Sequence, residues 1–220
     1  MKRDIEKTLA DWKKDKNRKP LLIRGARQVG KTYTVMKFGR EHFERVLEIN
    51  FERQPEMQPV FEKPDPGRIV QTLEVLTGQS LEAGKSLLFL DEIQRCPAAI
   101  TALRYFREQM PERHVLAAGS LVDFCLRAPE LSMPVGRIQY LFLPPLTFEE
   151  FLEAMGLTSL RGYLEQARLR DGIDAPVHAE LIRHLRTFLL VGGMPEAIQV
   201  YLNTHSLVDV GRVQASLLQT

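Results

Sequence analysis

Two clusters of residues in this 220-residue chain have the types and spacing that chemistry on phosphate requires. The first is Gly25-Ala26-Arg27-Gln28-Val29-Gly30-Lys31-Thr32, which satisfies the pattern G-x-x-x-x-G-K-[ST] at every fixed position. Glycines there let the backbone turn tightly and aim successive N–H groups into a concavity that accepts phosphate oxygens. Lys31 then supplies a charge for the β- and γ-phosphates of a nucleoside triphosphate, and Thr32 a hydroxyl to ligate Mg²⁺. The second cluster is Asp91-Glu92, some sixty residues downstream of Lys31. Asp91 suits the holding of Mg²⁺, directly or through water, and Glu92 suits polarising the water that attacks a γ-phosphate. The adjacent glutamate favours hydrolysis over simple switching.

These side chains act only if the right elements carry them. Pro20-Leu21-Leu22-Ile23-Arg24 is a short apolar run of strand type before the glycine loop, and residues 34–43 read as a helix behind it. A helix N-terminus adds partial positive charge to a phosphate site. Leu87-Leu88-Phe89-Leu90 reads as a strand buried on both faces, as in the middle of a parallel sheet. Its two carboxylates then fall at the strand's C-terminal end, where open α/β sheets bind ligands. His114-Val115-Leu116-Ala117-Ala118-Gly119-Ser120 reads as another buried strand. Ser120 at its end suits either sensing the γ-phosphate or capping a helix over Leu121 to Arg127. Arg137 follows Gly136 on a turn before a last strand, Ile138 to Leu143. It suits either a neighbouring subunit's nucleotide or a surface ion pair.

Composition bounds the rest. A content of 44% hydrophobic and 26% charged residues is that of an ordinary globular chain, and a formal net charge of +2 demands neither nucleic acid nor an acidic membrane. No apolar run approaches the ~18 residues needed to span a bilayer, and Met1-Lys2-Arg3-Asp4 has no signal-peptide core behind it. The two cysteines, Cys96 and Cys125, form no C-x-x-C pair, so structural zinc and a disulfide framework are not expected and a cytoplasmic location is.

The remaining segments frame this core. Residues 4–16 read as an amphipathic helix on Ile5, Leu9 and Trp12, followed by the basic run Lys13, Lys14, Lys16, Arg18, Lys19. That run suits nucleic acid or a solvated helix end. Val46 to Phe51 reads as a strand, and Pro55, Pro59, Pro64 and Pro66 predict an irregular exposed segment without helix. Further helices are expected up to Gly78 and from Pro97 to Met110. From Thr147 onward no strand is expected. Thr147-Phe148-Glu149-Glu150 has capping-box spacing, and helices are expected over 158–171, 177–190, 195–204 and 207–219. Gly192-Gly193 ends one helix and Pro195 starts the next. The last helix carries the stripe Leu207, Val210, Val213, Leu217, and the expectation is that the natural chain continues or that a partner covers this face. Two domains follow: a core over 1–146 and a helical region over 147–220.

Taken together, GARQVGKT at 25–32, LLFLDEIQ at 87–94, AAGS at 117–120, VGR at 135–137, LPPLTFEEF at 143–151 and GGMPEA at 192–197 resemble the AAA-like P-loop ATPases common in bacteria and archaea. The resemblance implies an α/β, three-layer P-loop NTPase sandwich with a five-stranded parallel sheet in order 5-1-4-3-2 and a helical lid. It implies ATP and Mg²⁺ as cofactors, with Lys31 and Thr32 as the phosphate-loop pair and Asp91 and Glu92 as metal ligand and base. It further implies Ser120 as first sensor, Arg137 as an arginine finger acting in trans within a homo-oligomer, and Pro195 against the adenine. Arg183 and Arg186 are the candidates for a second sensor in the lid. Family members usually carry a further C-terminal domain, often described as nuclease-like.

Three functions compete on this basis. The first is an ATP hydrolase whose cycle moves the lid. The second is a slow-turnover, ATP-dependent signalling or interaction switch. The third, a nucleoside or small-molecule kinase, lacks the expected cluster of arginines in a short lid insertion. No N-K-x-D-type segment is present to read guanine, so ATP is expected over GTP.

Overall fold

The structure, a computed structural model, describes residues 1–120, 136–168 and 172–219. The expected helix at Leu121 to Arg127, the Leu131 to Val135 approach to Arg137, and residues 169–171 lie outside the described residues. The chain divides into two compact units, one formed by Ile5–Leu143 and the other by Met1–Asp4 with Pro144–Thr220.

In the larger unit, β1 (Leu21–Gly25), β2 (Arg45–Asn50), β3 (Ser86–Asp91), β4 (His114–Ser120) and β5 (Gln139–Phe142) form one sheet in the order β2-β3-β4-β1-β5. Every pairing is parallel. This is the order that the family resemblance implies, read from the opposite edge. Burial follows position in the sheet. All six residues of β3 and all seven of β4 are buried, as two covered faces require. The edge strand β5 instead exposes Tyr140 and Phe142.

Alternation along the strands divides the core in two. Leu22, Leu88, Leu90, Val115 and Ala117 pack with Ile69 and Leu73 of α3 (Pro66–Thr77) and Ile100, Leu103 and Phe106 of α4 (Pro97–Gln109). Leu21, Ile23, Leu87, Phe89, Leu116 and Ala118 pack with Leu9 and Trp12 of α1 (Ile5–Lys14) and Val35 and Phe38 of α2 (Lys31–His42). Each fully buried Leu or Phe stabilises the fold by about 1.5–3 kcal/mol. A one-residue slip of any central strand would exchange its two faces.

One expectation needs correction. The proline-rich segment is not free of helix, because Pro55–Phe61 forms a 3-10 helix and α3 begins at Pro66 itself. Proline lacks an N–H, but the first turn of a helix leaves its N–H groups without intrahelical partners anyway. Pro55 and Pro66 occupy such starting positions, and Asp65 caps α3 through Gly67 N and Arg68 N.

The smaller unit is helical: α5 (Phe148–Ala154), α6 (Thr158–Gln166), α7 (Ala175–Val191), α8 (Pro195–Thr204) and α9 (Leu207–Leu217). Thr147 and Glu150 form the expected capping box. The Glu150 carboxylate does more than cap, since it also accepts Arg3 Nε at 3.0 Å and Asp4 N at 2.7 Å. The N-terminal residues are thereby held in this unit, with Arg3 Nη2 donating to Pro144 O at 2.6 Å. Gly193 has a steric reason to be glycine, because a Cβ there would meet Leu146 O at 2.5 Å. In α9, Val210 is buried and Val213 packs on the core, whereas Leu207 and Val208 are exposed.

Candidate nucleotide site

The loop between β1 and α2 turns through two left-handed residues, Gln28 at φ 60° and Gly30 at φ 92°. Val29, fully buried, pins its middle to the core beneath. Gly25 must be glycine, since a Cβ would lie 2.4 Å from Leu143 O. Lys31 opens α2 and is 6% exposed. Its Nζ donates to Ala26 O at 2.8 Å and Gly25 O at 3.2 Å, both carbonyls of the loop itself. An ammonium that donates to loop carbonyls can exchange them for the stronger charge-assisted bonds of a phosphate.

Thr32 Oγ1 donates to Asp91 Oδ2 at 2.8 Å, which joins the two sequence clusters. Asn50, opposite Asp91 in the β2–β3 register, donates to the same oxygen through Nδ2 at 3.0 Å. The other oxygen, Asp91 Oδ1, is buried with no hydrogen-bond partner. Burial pushes the Asp91 carboxyl above its ordinary range, against the pull of the Thr32 hydrogen bond, a backbone N–H bond and the Asn50 amide. A carboxylate with one unused buried oxygen beside a hydroxyl is a hard oxygen pair, which fits Mg²⁺ completed by phosphate and water.

Glu92 follows in left-handed backbone, φ 50° and ψ 42°. Its Oε2 accepts Gln94 Nε2 at 2.5 Å. Ser120 ends β4 directly across from Gly25, and its hydroxyl is buried without a hydrogen-bond partner. These residues converge at the C-terminal ends of the parallel strands. Arg137 stands elsewhere: it is 55% exposed and its Nε lies 3.1 Å from Glu108 Oε1 on α4. Pro195 is the first residue of α8 in the smaller unit. There Arg183 pairs with Glu180, and Arg186 is exposed.

Sequence reasoning missed Asn50 and Gln94 as parts of the site. Asn50 is a polar residue at the C-terminal end of a strand, which was signal enough once the register with Asp91 was known. Gln94 gave no signal of its own.

No curated protein matches the chain. Solved structures that this chain is similar to include the Orc1 protein of Aeropyrum pernix in complex with DNA, at 15% identity and a TM-score of 0.40, covering 70% of this chain and 47% of that one. AMPPCP-bound DnaA from Aquifex aeolicus aligns at 14% identity and a TM-score of 0.48, over 90% of this chain and 58% of that one. RuvB of Thermotoga maritima aligns at 20% identity and a TM-score of 0.42, over 71% and 51% respectively. The chain thus spans about half the length of these proteins. The family model described as an AAA domain matches residues 17–152, which take in the glycine loop, Asp91, Glu92, Ser120 and Arg137. With that match over more than half its length, this chain belongs to the AAA-domain family of P-loop ATPases.

Proposed function

We propose that this chain binds Mg·ATP and hydrolyses it, and that turnover in the core, residues 1–146, moves the helical region, residues 147–220. One observation carries the reading. Thr32 and Asp91, 59 residues apart, meet at 2.8 Å beside an Asp91 oxygen that is buried and has no hydrogen-bond partner.

Lys31 leaves the carbonyls of Gly25 and Ala26 to bind the β- and γ-phosphates, while the N–H groups of residues 25–32 hold phosphate oxygens. Thr32 and Asp91 would hold a magnesium ion, which when bound would neutralise charge on the phosphates. Glu92 accepts the proton of the attacking water as its oxygen bonds to the γ-phosphorus and the bond to the β,γ-bridging oxygen breaks. The Ser120 hydroxyl, buried across from Gly25, donates to the γ-phosphate or orients that water. Pro195 lies against the adenine. Arg137 acts on the nucleotide of a neighbouring subunit in a homo-oligomer, where an always-charged planar guanidinium suits the transferring phosphoryl group. A cytoplasmic setting fits, and among the described residues no helix is long and apolar enough to cross a membrane.

A slow-turnover switch is the second reading, favoured by the Arg137–Glu108 ion pair, which engages the candidate finger within its own chain. Turnover assays separate the two. Lys31→Ala should abolish Mg·ATP binding, and Glu92→Gln should keep binding but lose turnover. Arg137→Ala should keep affinity and lower turnover by orders of magnitude, with activity partly restored on mixing with Lys31→Ala subunits. Undiminished hydrolysis by Glu92→Gln removes Glu92 as base, and wild-type turnover that does not change with protein concentration removes the action in trans.

A further inference from the structure

Glu92 and Gln94 meet although their spacing is wrong for it. Side chains two apart on a regular helix or 3-10 turn point away from one another. Here they touch because Glu92 sits at φ 50°, ψ 42°, in the left-handed region that a residue with a Cβ adopts only at an energetic cost. Such a conformation persists only where its surroundings over-determine it. Arg95 N donates to Glu92 O at 2.9 Å and Cys96 N to Ile93 O at 2.9 Å, closing the turn that follows β3. Ile93 is fully buried and anchors that turn in the core.

The partner is enclosed as well. Gln94 is 1% exposed, so its amide cannot swing to solvent. Glu92 is half-buried, and its carboxylate has no further side-chain partner among the described residues. One oxygen therefore takes a donor from a buried neighbour and the other is left to accept. An amide suits this role because it offers N–H donors and cannot take up the proton that a base collects.

We propose that Gln94 is a positioning residue for hydrolysis, holding the Glu92 carboxylate through Oε2 so that Oε1 faces the attacking water. The inference rests on the reading of Glu92 as the general base. A base must stand within hydrogen-bond reach of the proton it removes, so the orientation of its carboxylate bears on kcat and not on nucleotide affinity.

The test is a double-mutant cycle on the full chain, with ATP turnover, KM and binding of a fluorescent ATP analogue as readouts. Gln94→Met keeps the length of the side chain and removes the donor. Its kcat should fall about 10- to 100-fold, a typical loss when a residue orienting an active group is removed, with KM and analogue affinity within about twofold of the parent. In the Glu92→Gln background, the same substitution should leave residual turnover within about twofold, because the base it orients is already gone. Should Gln94→Met fail to fold, Gln94→Asn withdraws the amide by one methylene and must show the same loss of kcat at unchanged KM. Wild-type kcat in the folded variant, a matching rise in KM, or an equal loss in the Glu92→Gln background would each overturn the proposal. Undiminished turnover in Glu92→Gln alone would instead refute the base assignment beneath it, so the two failures are distinguishable.

Discussion

Acidification should destabilise the larger unit through one side chain, His114. It opens β4 and is 5% exposed, set edge-on to the rings of Trp12 and Phe43 with centroids 5.7 and 4.9 Å away. Its Nε2 lies 3.3 Å from Lys13 O, an acceptor, so the proton of the neutral ring sits on Nε2. Nδ1 is buried with no hydrogen-bond partner. Charging the ring would place a second proton in that dry corner. Burial, with the nearby Arg18 charge adding to it, pushes the His114 pKa from 6.5 down to about 4. The unfolded chain then binds a proton between pH 6.5 and 4 that the native chain refuses. Stability from this group is therefore complete above pH 6.5 and is lost as pH falls toward 4. At 1.36 kcal/mol per unit, the difference of the two pKa values sets an upper limit of about 3 kcal/mol. Urea unfolding followed by circular dichroism at pH 7, 6, 5 and 4.5 measures the loss. Other groups titrate in the same window, so the comparison is with His114→Phe, which keeps an aromatic edge and removes the titration. The variant should lose about 2–3 kcal/mol less than the parent across the window. Parallel curves, differing by under about 1 kcal/mol throughout, would refute the argument.

Two further substitutions probe other contacts. Asn50→Ala removes one of the two side-chain donors on Asp91 Oδ2, and the magnesium concentration for half-maximal turnover should rise about tenfold with magnesium-free nucleotide affinity unchanged. Arg3→Ala leaves Glu150, 3% exposed, as an unpaired buried charge, and chemical unfolding should show a loss of about 3–5 kcal/mol. Arg3→Met combined with Glu150→Gln removes both charges and should lose clearly less than the single change.

The contrast between Thr32 and Gln94 shows what a sequence makes legible. Thr32 lies in a pattern whose glycines, lysine and hydroxyl are each required by one ligand, so the pattern names the chemistry before any fold is known. The strands were equally plain, because parallel strands covered on both faces must be continuous apolar runs, as at Leu87 to Leu90. Gln94 was hidden because its contact depends on a backbone conformation at Glu92 that residue type does not announce. Asn50 was hidden for a different reason: its meaning lies in register, and register comes from pairing two strands 41 residues apart. The pairing of Glu150 with Arg3 spans 147 residues, and local capping had already given Glu150 a sufficient role. Gly193 likewise had a sufficient local reason at a helix end, which concealed its close approach to Leu146. Wherever local physics fully accounts for a residue, a second, long-range use leaves no trace in the sequence.

Strand order explains why the site needs small residues in its middle. Thr32 follows β1 and Asp91 ends β3, yet β1 and β3 are not neighbours, because β4 lies between them. Two strand spacings of about 4.8 Å put the C-terminal ends of β1 and β3 roughly 10 Å apart. The loop and the first turn of α2 must therefore pass over the end of β4 for Thr32 to reach Asp91 at 2.8 Å. That end reads Ala117-Ala118-Gly119-Ser120, the lowest relief a strand can offer short of glycine throughout. In register, Gly25 stands opposite Ser120 and Arg24 opposite Gly119, so the smallest side chains of β4 meet the point where β1 gives way to the loop. A leucine there would occupy the ground the loop crosses. The same geometry gives Ser120 its position: a hydroxyl on the middle strand end stands between the loop on one side and the Asp91-Glu92 pair on the other. Its lack of a hydrogen-bond partner in a buried setting is costly unless a ligand supplies one. The small residues that let the two motifs join thus leave one polar atom between them, at the strand end where a bound phosphate would complete its hydrogen bonding.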